Sequence, residues 1–143
     1  ICACLVGSEM CIRDRNMFDF GAAHRMEGDR SGINDKGLVT HDRKIKKDAY
    51  YFYRANWNPE PMIYIAGRRN VNRVKPLVDV QVFSNVEEVI LIVNDCQCRR
   101  MKPDSLKVCL FKEVPLRKGR NEIEVRASDS KKQLIDRCTW ILQ

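Results

Sequence analysis

Acidic side chains held close together can act as general acid and general base, so they are the first candidates for chemistry in this chain. Glu87 and Glu88 are adjacent at the start of an apolar run, where consecutive side chains of a strand point to opposite faces. Glu27 and Asp29 lie in a polar stretch that offers neither of them an apolar pocket. We therefore predict that the chain has no catalytic residue of its own.

The polar stretch at residues 21–40 is more informative, because loops of roughly twenty residues inside a compact domain usually carry function. It contains the tetrapeptide Asn34-Asp35-Lys36-Gly37. The Asn34 amide and the Lys36 ammonium are donors suited to a carboxylate or to hydroxyl groups. Gly37 would let the backbone turn sharply after them. The alternative is a solvated polar loop that binds nothing.

Regular elements on either side must position this loop. Residues 16–20 are a short apolar run broken by Asp19 and predict a strand, and residues 48–56 predict an aromatic helix. Two prolines within residues 57–61 then stop the helix and favour extended chain. The pattern up to residue 57 is therefore strand, loop and helix.

Residues 58–143 consist of strand-length runs separated by turn residues. Alternation places Ile123, Val125 and Ala127 on one face of a strand, and Asn94-Asp95 suits a tight turn. Six runs fit a strand: residues 62–66, 77–83, 89–93, 106–111, 122–127 and 134–142. In the fourth run Leu106, Val108 and Leu110 share a face, and in the last run Cys138, Trp140 and Leu142 do. Short strands with no helix between them predict a mainly β fold, an immunoglobulin-like antiparallel β-sandwich.

Composition argues against several classes of partner. The 143 residues carry a net charge of +7, with basic clusters within residues 68–73 and 99–102. Acidic residues interleave with basic ones through most of the chain, which favours a solvated face over a nucleic-acid interface. No apolar run approaches the roughly 20 residues that span a bilayer. We predict no nucleic-acid partner, no membrane partner and no cofactor.

The first residues affect how the cysteines are interpreted. Residues 5–15 resemble the translation of a sequencing adapter, so we expect residues 1–15 to be a disordered artefact, with a genuine leader as the alternative. This leaves Cys96, Cys98, Cys109 and Cys138. The single residue between Cys96 and Cys98 does not fit zinc spacing, which favours small apolar strand residues over a metal site. A disulfide between Cys109 and Cys138 stays open.

Two segments resemble a known family. Residues 16–57, NMFDFGAAHRMEGDRSGINDKGLVTHDRKIKKDAYYFYRANW, closely resemble the last strand, loop and helix of the (β/α)8 barrel of glycoside hydrolase family 2, the β-galactosidase and β-glucuronidase group. The segment VQVFSNVEEVILIVND resembles a strand pair of the sandwich domain that follows the barrel, with Asn94-Asp95 in place of the usual Asn-Gly. The resemblance implies the C-terminal fragment of a larger enzyme, with residues 16–57 from the barrel and 58–143 from the sandwich.

The resemblance also implies roles for particular residues. In the β-glucuronidase branch an Asn-x-Lys-Gly stretch contacts the substrate carboxylate, and Asn34 and Lys36 match it, so we expect both to bind substrate. Family members are retaining exo-glycosidases whose two catalytic glutamates lie on earlier strands. Arg15 stands where a tryptophan usually lines the sugar site. We therefore expect this chain by itself to be inactive.

For the parent enzyme we expect a carbohydrate partner, with a terminal β-galactoside as the substrate and a β-glucuronide as the alternative. Family members suggest a periplasmic or extracellular location, and the oligomeric state stays open. The alternative from another class is a non-catalytic sandwich module that binds carbohydrate or protein.

Overall fold

The computed structural model describes residues 16–24, 31–129 and 132–143. The predicted artefact at residues 1–15 lies outside the described residues. The chain divides into two compact units, the first ending at Tyr51 and the second beginning at Phe52. Within the described ranges, no helix has the length and apolar character needed to cross a bilayer.

Short backbone pairings, rather than long strands, hold the first unit together. Strand β1 (Phe20–Gly21) pairs antiparallel with β2 (Ile33–Asn34). Phe18 forms an isolated parallel bridge with Val39. The strand predicted at residues 16–20 is therefore shorter than expected, because its backbone hydrogen bonds go to the returning loop.

Helix α1 (Asp48–Trp57) confirms the predicted helix and ends one residue later than expected. Asp48 lies in its first turn and Arg54 in its last, where each charge interacts favourably with the helix dipole. The Arg54 guanidinium also pairs with Glu60 at 2.8 Å, just past the helix end. A strand, a loop and a helix are thus present, and their membership of a barrel stays a prediction.

The second unit is a β-sandwich, as the alternating runs predict. Its strands are β3 (Ile63–Ile65), β4 (Asn72–Arg73), β5 (Leu77–Ser84), β6 (Val89–Val93), β7 (Gln97–Met101), β8 (Val108–Pro115), β9 (Gly119–Asp129) and β10 (Lys132–Leu142). One sheet has the order β4–β10–β9–β6–β7 and the other β3–β5–β8. Neighbouring strands are antiparallel except for the short β4–β10 pair.

Both sheets bury one face in a shared core. Val80 and Val82 of β5, Phe111 of β8, and Ile123 and Val125 of β9 are all at most 2% exposed. Burial of each such side chain contributes about 1.5–3 kcal/mol relative to leaving it exposed. The core predicted from the alternation of residues 122–127 is therefore present, and the opposite sheet supplies its other wall.

Hydrogen bonds join the sheets at their edges. The Asp136 Oδ2 atom of β10 accepts from the Ile65 amide of β3 at 2.8 Å. At the other side, the Arg99 guanidinium of β7 donates to the Lys112 carbonyl of β8 at 2.7 Å. These bonds give edge strands partners that their own sheets do not supply.

The face predicted to group Leu106, Val108 and Leu110 does not line the core. Leu106 is 54% exposed and Leu110 is 39% exposed, whereas Cys109 and Phe111 are buried. The reason is non-local, because pairing of Val82 with Cys109 fixes which side chains of β8 point inward. Strand β7 was missed altogether, because its sequence QCRRM shows no apolar alternation.

Candidate functional site

The candidate site is the loop of the first unit that carries Asn34 and Lys36. The backbone of Val39 binds the loop to residues 17–19. Its amide donates to the Met17 carbonyl at 3.0 Å, and its carbonyl accepts from the Asp19 amide at 2.9 Å. Val39 also forms an antiparallel bridge with Lys46. The polar loop is thus held mainly through its backbone, which satisfies groups that a buried segment must pair.

Asp19 provides a buried carboxylate on which the loop converges. Its Oδ1 atom accepts hydrogen bonds from the Gly37 amide at 2.8 Å and from the Lys47 ammonium at 2.7 Å. The same ammonium donates to the Asp35 carbonyl. Asp19 therefore holds the chain on both sides of Lys36, directly at Gly37 and through Lys47 at Asp35.

Asn34 and Lys36, the residues expected to bind substrate, lie together in this held segment. Asn34 is 9% exposed, and its Oδ1 atom accepts a hydrogen bond from the Lys36 amide at 3.1 Å. Lys36 itself is exposed. The bond orients the Asn34 side chain with its oxygen towards the backbone, so the donors of its Nδ2 atom face away from that contact. Substrate binding by the two residues stays a prediction.

The chain bends at Gly37, as predicted, although the φ of Gly37 is not positive. A close approach of the backbone is a further reason for glycine. A Cβ atom at this position would lie 2.2 Å from the Asp19 amide nitrogen and 2.3 Å from the Phe18 carbonyl carbon. Glycine is therefore the residue that lets the loop lie directly against the backbone of residues 18–19.

A compact turn closes the far end of the loop. The Thr40 hydroxyl donates to Asp42 Oδ1 at 2.5 Å and accepts from the Ile45 amide at 3.1 Å. Arg43 has a φ of 61°, and its guanidinium lies 4.0 Å from the centroid of the Phe18 ring. This turn returns the chain so that Lys47 reaches Asp19.

Sequence reasoning identified Asp19 as a polar interruption of an apolar strand but missed its partner. A carboxylate inside an apolar strand needs a donor that compensates its charge. Asp19 therefore indicates, from the sequence alone, that such a donor must lie nearby. Nothing in the basic run at residues 43–47 distinguishes Lys47 from Lys44 and Lys46, which are both exposed. Only the fold selects Lys47.

Arg68 and Arg73, in the basic cluster within residues 68–73, contact acidic and aromatic side chains. Arg68 forms an ion pair with Asp136, and its guanidinium lies 4.3 Å from the centroid of the Tyr64 ring. Burial opposes the charge on Arg68, but the hydrogen bond to Asp136 raises the pKa of the guanidinium overall. The lack of a nucleic-acid partner stays a prediction.

A second charged cluster lies on the outer face of the five-stranded sheet. Glu124 accepts hydrogen bonds from Arg126 and Arg137. Burial acts to raise the pKa of Glu124, but these two hydrogen bonds lower it below its ordinary value. A surface depression of about 300 Å³ lies beside the cluster, lined also by Arg120 and Glu122, which pair at 3.0 Å.

The four described cysteines are free, so the Cys109–Cys138 disulfide that the sequence left open is not formed. Burial raises the pKa of Cys109 to about 12 and that of Cys138 to about 11. Cys98 lies on the edge strand β7, as its interpretation as a strand residue predicts, whereas Cys96 lies in the preceding turn; both are exposed. In the described ranges, no three His, Cys, Asp or Glu side chains are grouped to hold a metal ion.

Comparison with known proteins associates the chain with glycosidases. The chain is homologous to β-glucuronidase and β-galactosidase proteins, as its resemblance to that group predicted. It is 52% identical over 125 residues to a β-glucuronidase of Bacteroides fragilis, an alignment that covers 87% of this chain and 18% of that protein. No model of a known protein family matches the chain.

Solved structures agree with this relationship. An FMN-binding β-glucuronidase from Faecalibacterium prausnitzii L2-6 is 38% identical with a TM-score of 0.80, covering 90% of this chain and 19% of its own. A Bacteroides fragilis protein assigned as a β-galactosidase is 35% identical with a TM-score of 0.83 and the same coverage. The chain thus spans about a fifth of the length of the relatives it matches, so a complete activity does not follow from these matches alone.

Proposed function

We propose that this chain is part of a glycosidase that hydrolyses terminal β-glucuronides, and that its loop binds the carboxylate of the sugar. The observation that carries the proposal is that Lys36 is exposed and donates its backbone amide to Asn34 Oδ1, on a segment whose backbone is fixed on both sides. An ammonium and an amide are suitable donors for a carboxylate.

Two relatives support the choice of sugar. The Bacteroides fragilis protein at 52% identity is a β-glucuronidase. A Bacteroides uniformis β-glucuronidase, 27% identical with a TM-score of 0.79 and covering 90% of this chain and 16% of its own, is covalently bound to cyclophellitol-6-carboxylate aziridine. That ligand carries a carboxylate, the group that Asn34 and Lys36 would bind here.

The loop would contribute binding and orientation rather than bond cleavage. A hydrogen bond to a charged group contributes about 1.5–3 kcal/mol, which corresponds to roughly a 10- to 100-fold preference for a sugar that carries the charge. Retaining hydrolysis needs two carboxyl groups roughly 5–5.5 Å apart, and we assign no residue of this chain to that pair. We infer that the chain alone does not hydrolyse glycosides.

Hydrolysis of terminal β-galactosides is the second candidate, and it is favoured by the match to the assigned β-galactosidase at a TM-score of 0.83. A galactoside presents a hydroxyl group where a glucuronide presents a carboxylate. The donors of Asn34 and Lys36 could serve either group, but only the carboxylate would gain from the charge on Lys36.

The test is a chimera in which this chain replaces the matching segment of the Bacteroides fragilis β-glucuronidase. Lys36→Ala should lower kcat/KM for a nitrophenyl β-glucuronide roughly 10- to 100-fold, because a charge-assisted contact is lost. Hydrolysis of the nitrophenyl β-galactoside should change little. Lys44→Ala, which removes an exposed lysine of the same unit, should affect neither substrate.

Equal losses for both substrates in Lys36→Ala, or no loss for either, would contradict the glucuronide proposal. A chimera that hydrolyses the galactoside more efficiently than the glucuronide would favour the second candidate.

A further inference from the structure

The ion pair between Lys47 and Asp19 joins the two ends of the described part of the first unit and is shielded from water. The two residues are far apart in sequence, yet their side chains are only 7% exposed for Asp19 and 22% for Lys47. An ion pair this protected from water is expensive to break, because removal of one partner leaves the other charge poorly solvated. The pair can therefore fix the position of the backbone groups that it contacts.

The ion pair contacts the backbone on both sides of Lys36. The Gly37 amide donates to Asp19 at 2.8 Å, and the Lys47 ammonium donates to the Asp35 carbonyl. These bonds hold the tetrapeptide at residues 34–37 in addition to the short β1–β2 pairing and the bond from the Lys36 amide to Asn34.

Lys47 is unsuited to bind a sugar carboxylate itself. Its charge is already matched by Asp19 at 2.7 Å, and its ammonium also serves the Asp35 carbonyl. Two of its three N–H donors are therefore engaged, and a substrate carboxylate would compete with Asp19 for its charge. We assign Lys47 to holding the loop and Lys36 to binding.

We propose that Asp19 and Lys47 are positioning residues, which determine specificity by holding Asn34 and Lys36 where they meet the carboxylate of the sugar. This proposal rests on the proposed function, because it assumes that Lys36 binds that carboxylate. The pair does not contact the substrate, and its effect passes through the backbone of Asp35 and Gly37.

The experiment uses the same chimera with Asp19→Asn and Lys47→Met. Asp19→Asn keeps the size of the side chain but loses the charge that pairs with Lys47, and Lys47→Met keeps the chain length but loses the ammonium. Displacement of a binding group by about 1 Å lowers catalysis by up to roughly 100-fold. We expect a 10- to 100-fold loss of kcat/KM for the glucuronide, mainly through KM, and a loss of less than about threefold for the galactoside.

Lys44→Met is the matched control, because it makes the same substitution at an exposed lysine of the same turn. It should leave both substrates unaffected. Lys47→Arg, which keeps the positive charge, should retain more glucuronide activity than Lys47→Met. Amide exchange in the 143-residue chain adds a direct readout, since the Gly37 amide should exchange faster in Asp19→Asn and Lys47→Met but not in Lys44→Met.

A double-mutant cycle separates positioning from a general effect on folding. If the pair acts through Lys36, then adding Lys47→Met to Lys36→Ala should not change the ratio of glucuronide to galactoside activity any further. Multiplicative losses that are equal for both sugars would show that the pair acts on the fold as a whole, and this would overturn the proposal.

The remaining outcomes separate this inference from the proposed function. If Lys36→Ala is selective but Asp19→Asn and Lys47→Met keep the wild-type preference, positioning is refuted and the proposed function stands. If Lys36→Ala is not selective, the proposed function fails, and positioning for a carboxylate fails with it whatever the exchange rate of Gly37.

Discussion

Replacement of Gly37 by alanine tests the closest contact of the candidate loop. The added Cβ atom would lie 2.2 Å from the Asp19 amide nitrogen, 2.3 Å from the Phe18 carbonyl carbon and 2.6 Å from Asp19 Oδ1. Ordinary van der Waals contact begins at 3.4 Å, so the loop must move away from Asp19 by about 1.2 Å. Two of the three neighbours are backbone atoms, which cannot rotate aside as a side chain would.

This shift would break the bond that holds the loop. The Gly37 amide donates to Asp19 at 2.8 Å, and a displacement of this size extends the distance to about 4 Å, beyond hydrogen-bonding range. Loss of a hydrogen bond to a charged group costs about 1.5–3 kcal/mol, and overpacking costs about 1–3 kcal/mol. We expect the free energy of opening of the loop to fall by about 3 kcal/mol, which accelerates amide exchange roughly 100-fold.

Hydrogen–deuterium exchange measures this effect at the backbone bonds of the loop. The amides of Asp19, Val39 and Lys47 donate within it and report its opening. Gly21→Ala is the matched control, because a Cβ atom there has no heavy atom within 4 Å and the φ of Gly21 is not positive. We expect its effect to stay within about 0.5 kcal/mol.

Wild-type exchange at these amides in Gly37→Ala would refute the reasoning, since the loop could not then lie against Asp19. Equal acceleration in Gly37→Ala and Gly21→Ala would also count against it, because loss of glycine in general would then explain the effect.

Three further predictions concern the second unit. The pKa of Glu124 is lowered from 4.5, so its contribution to stability is present above pH 4.5 and is lost as the pH falls through the lower pKa of the folded state. Urea unfolding of Glu124→Gln should therefore show a smaller loss of stability towards acid pH, the acid limb of the profile. Phe111→Ala should lower the free energy of unfolding by about 3–5 kcal/mol, but Leu110→Ala, at a 39% exposed side chain, by less than about 1 kcal/mol. In native alkylation followed by mass spectrometry, Cys109 should react far more slowly than the exposed Cys98, because a pKa of about 12 instead of 9.0 lowers its thiolate fraction about a thousandfold. An unchanged acid limb, equal losses of stability or equal labelling would contradict these predictions in turn.

Alternation in the sequence was sufficient where a strand has one clear apolar face. Ile123, Val125 and Ala127 were predicted to point inward, and all three are at most 2% exposed. Helix α1 was predicted almost to its last residue, because two prolines follow it closely. The tetrapeptide that contains Asn34 and Lys36 was identified from the residues and from the family resemblance alone.

The sequence by itself thus determined the helix, the polar loop and the strands that have a clear apolar face, because these depend on neighbouring residues. Tertiary structure decided which face of β8 is buried, since pairing with β5 selects Cys109 and Phe111 over the leucines beside them. It also selected Lys47 from a run of basic residues as the partner of Asp19. Strand register and ion pairing join residues distant in the chain, and no local pattern specifies which distant residues will meet.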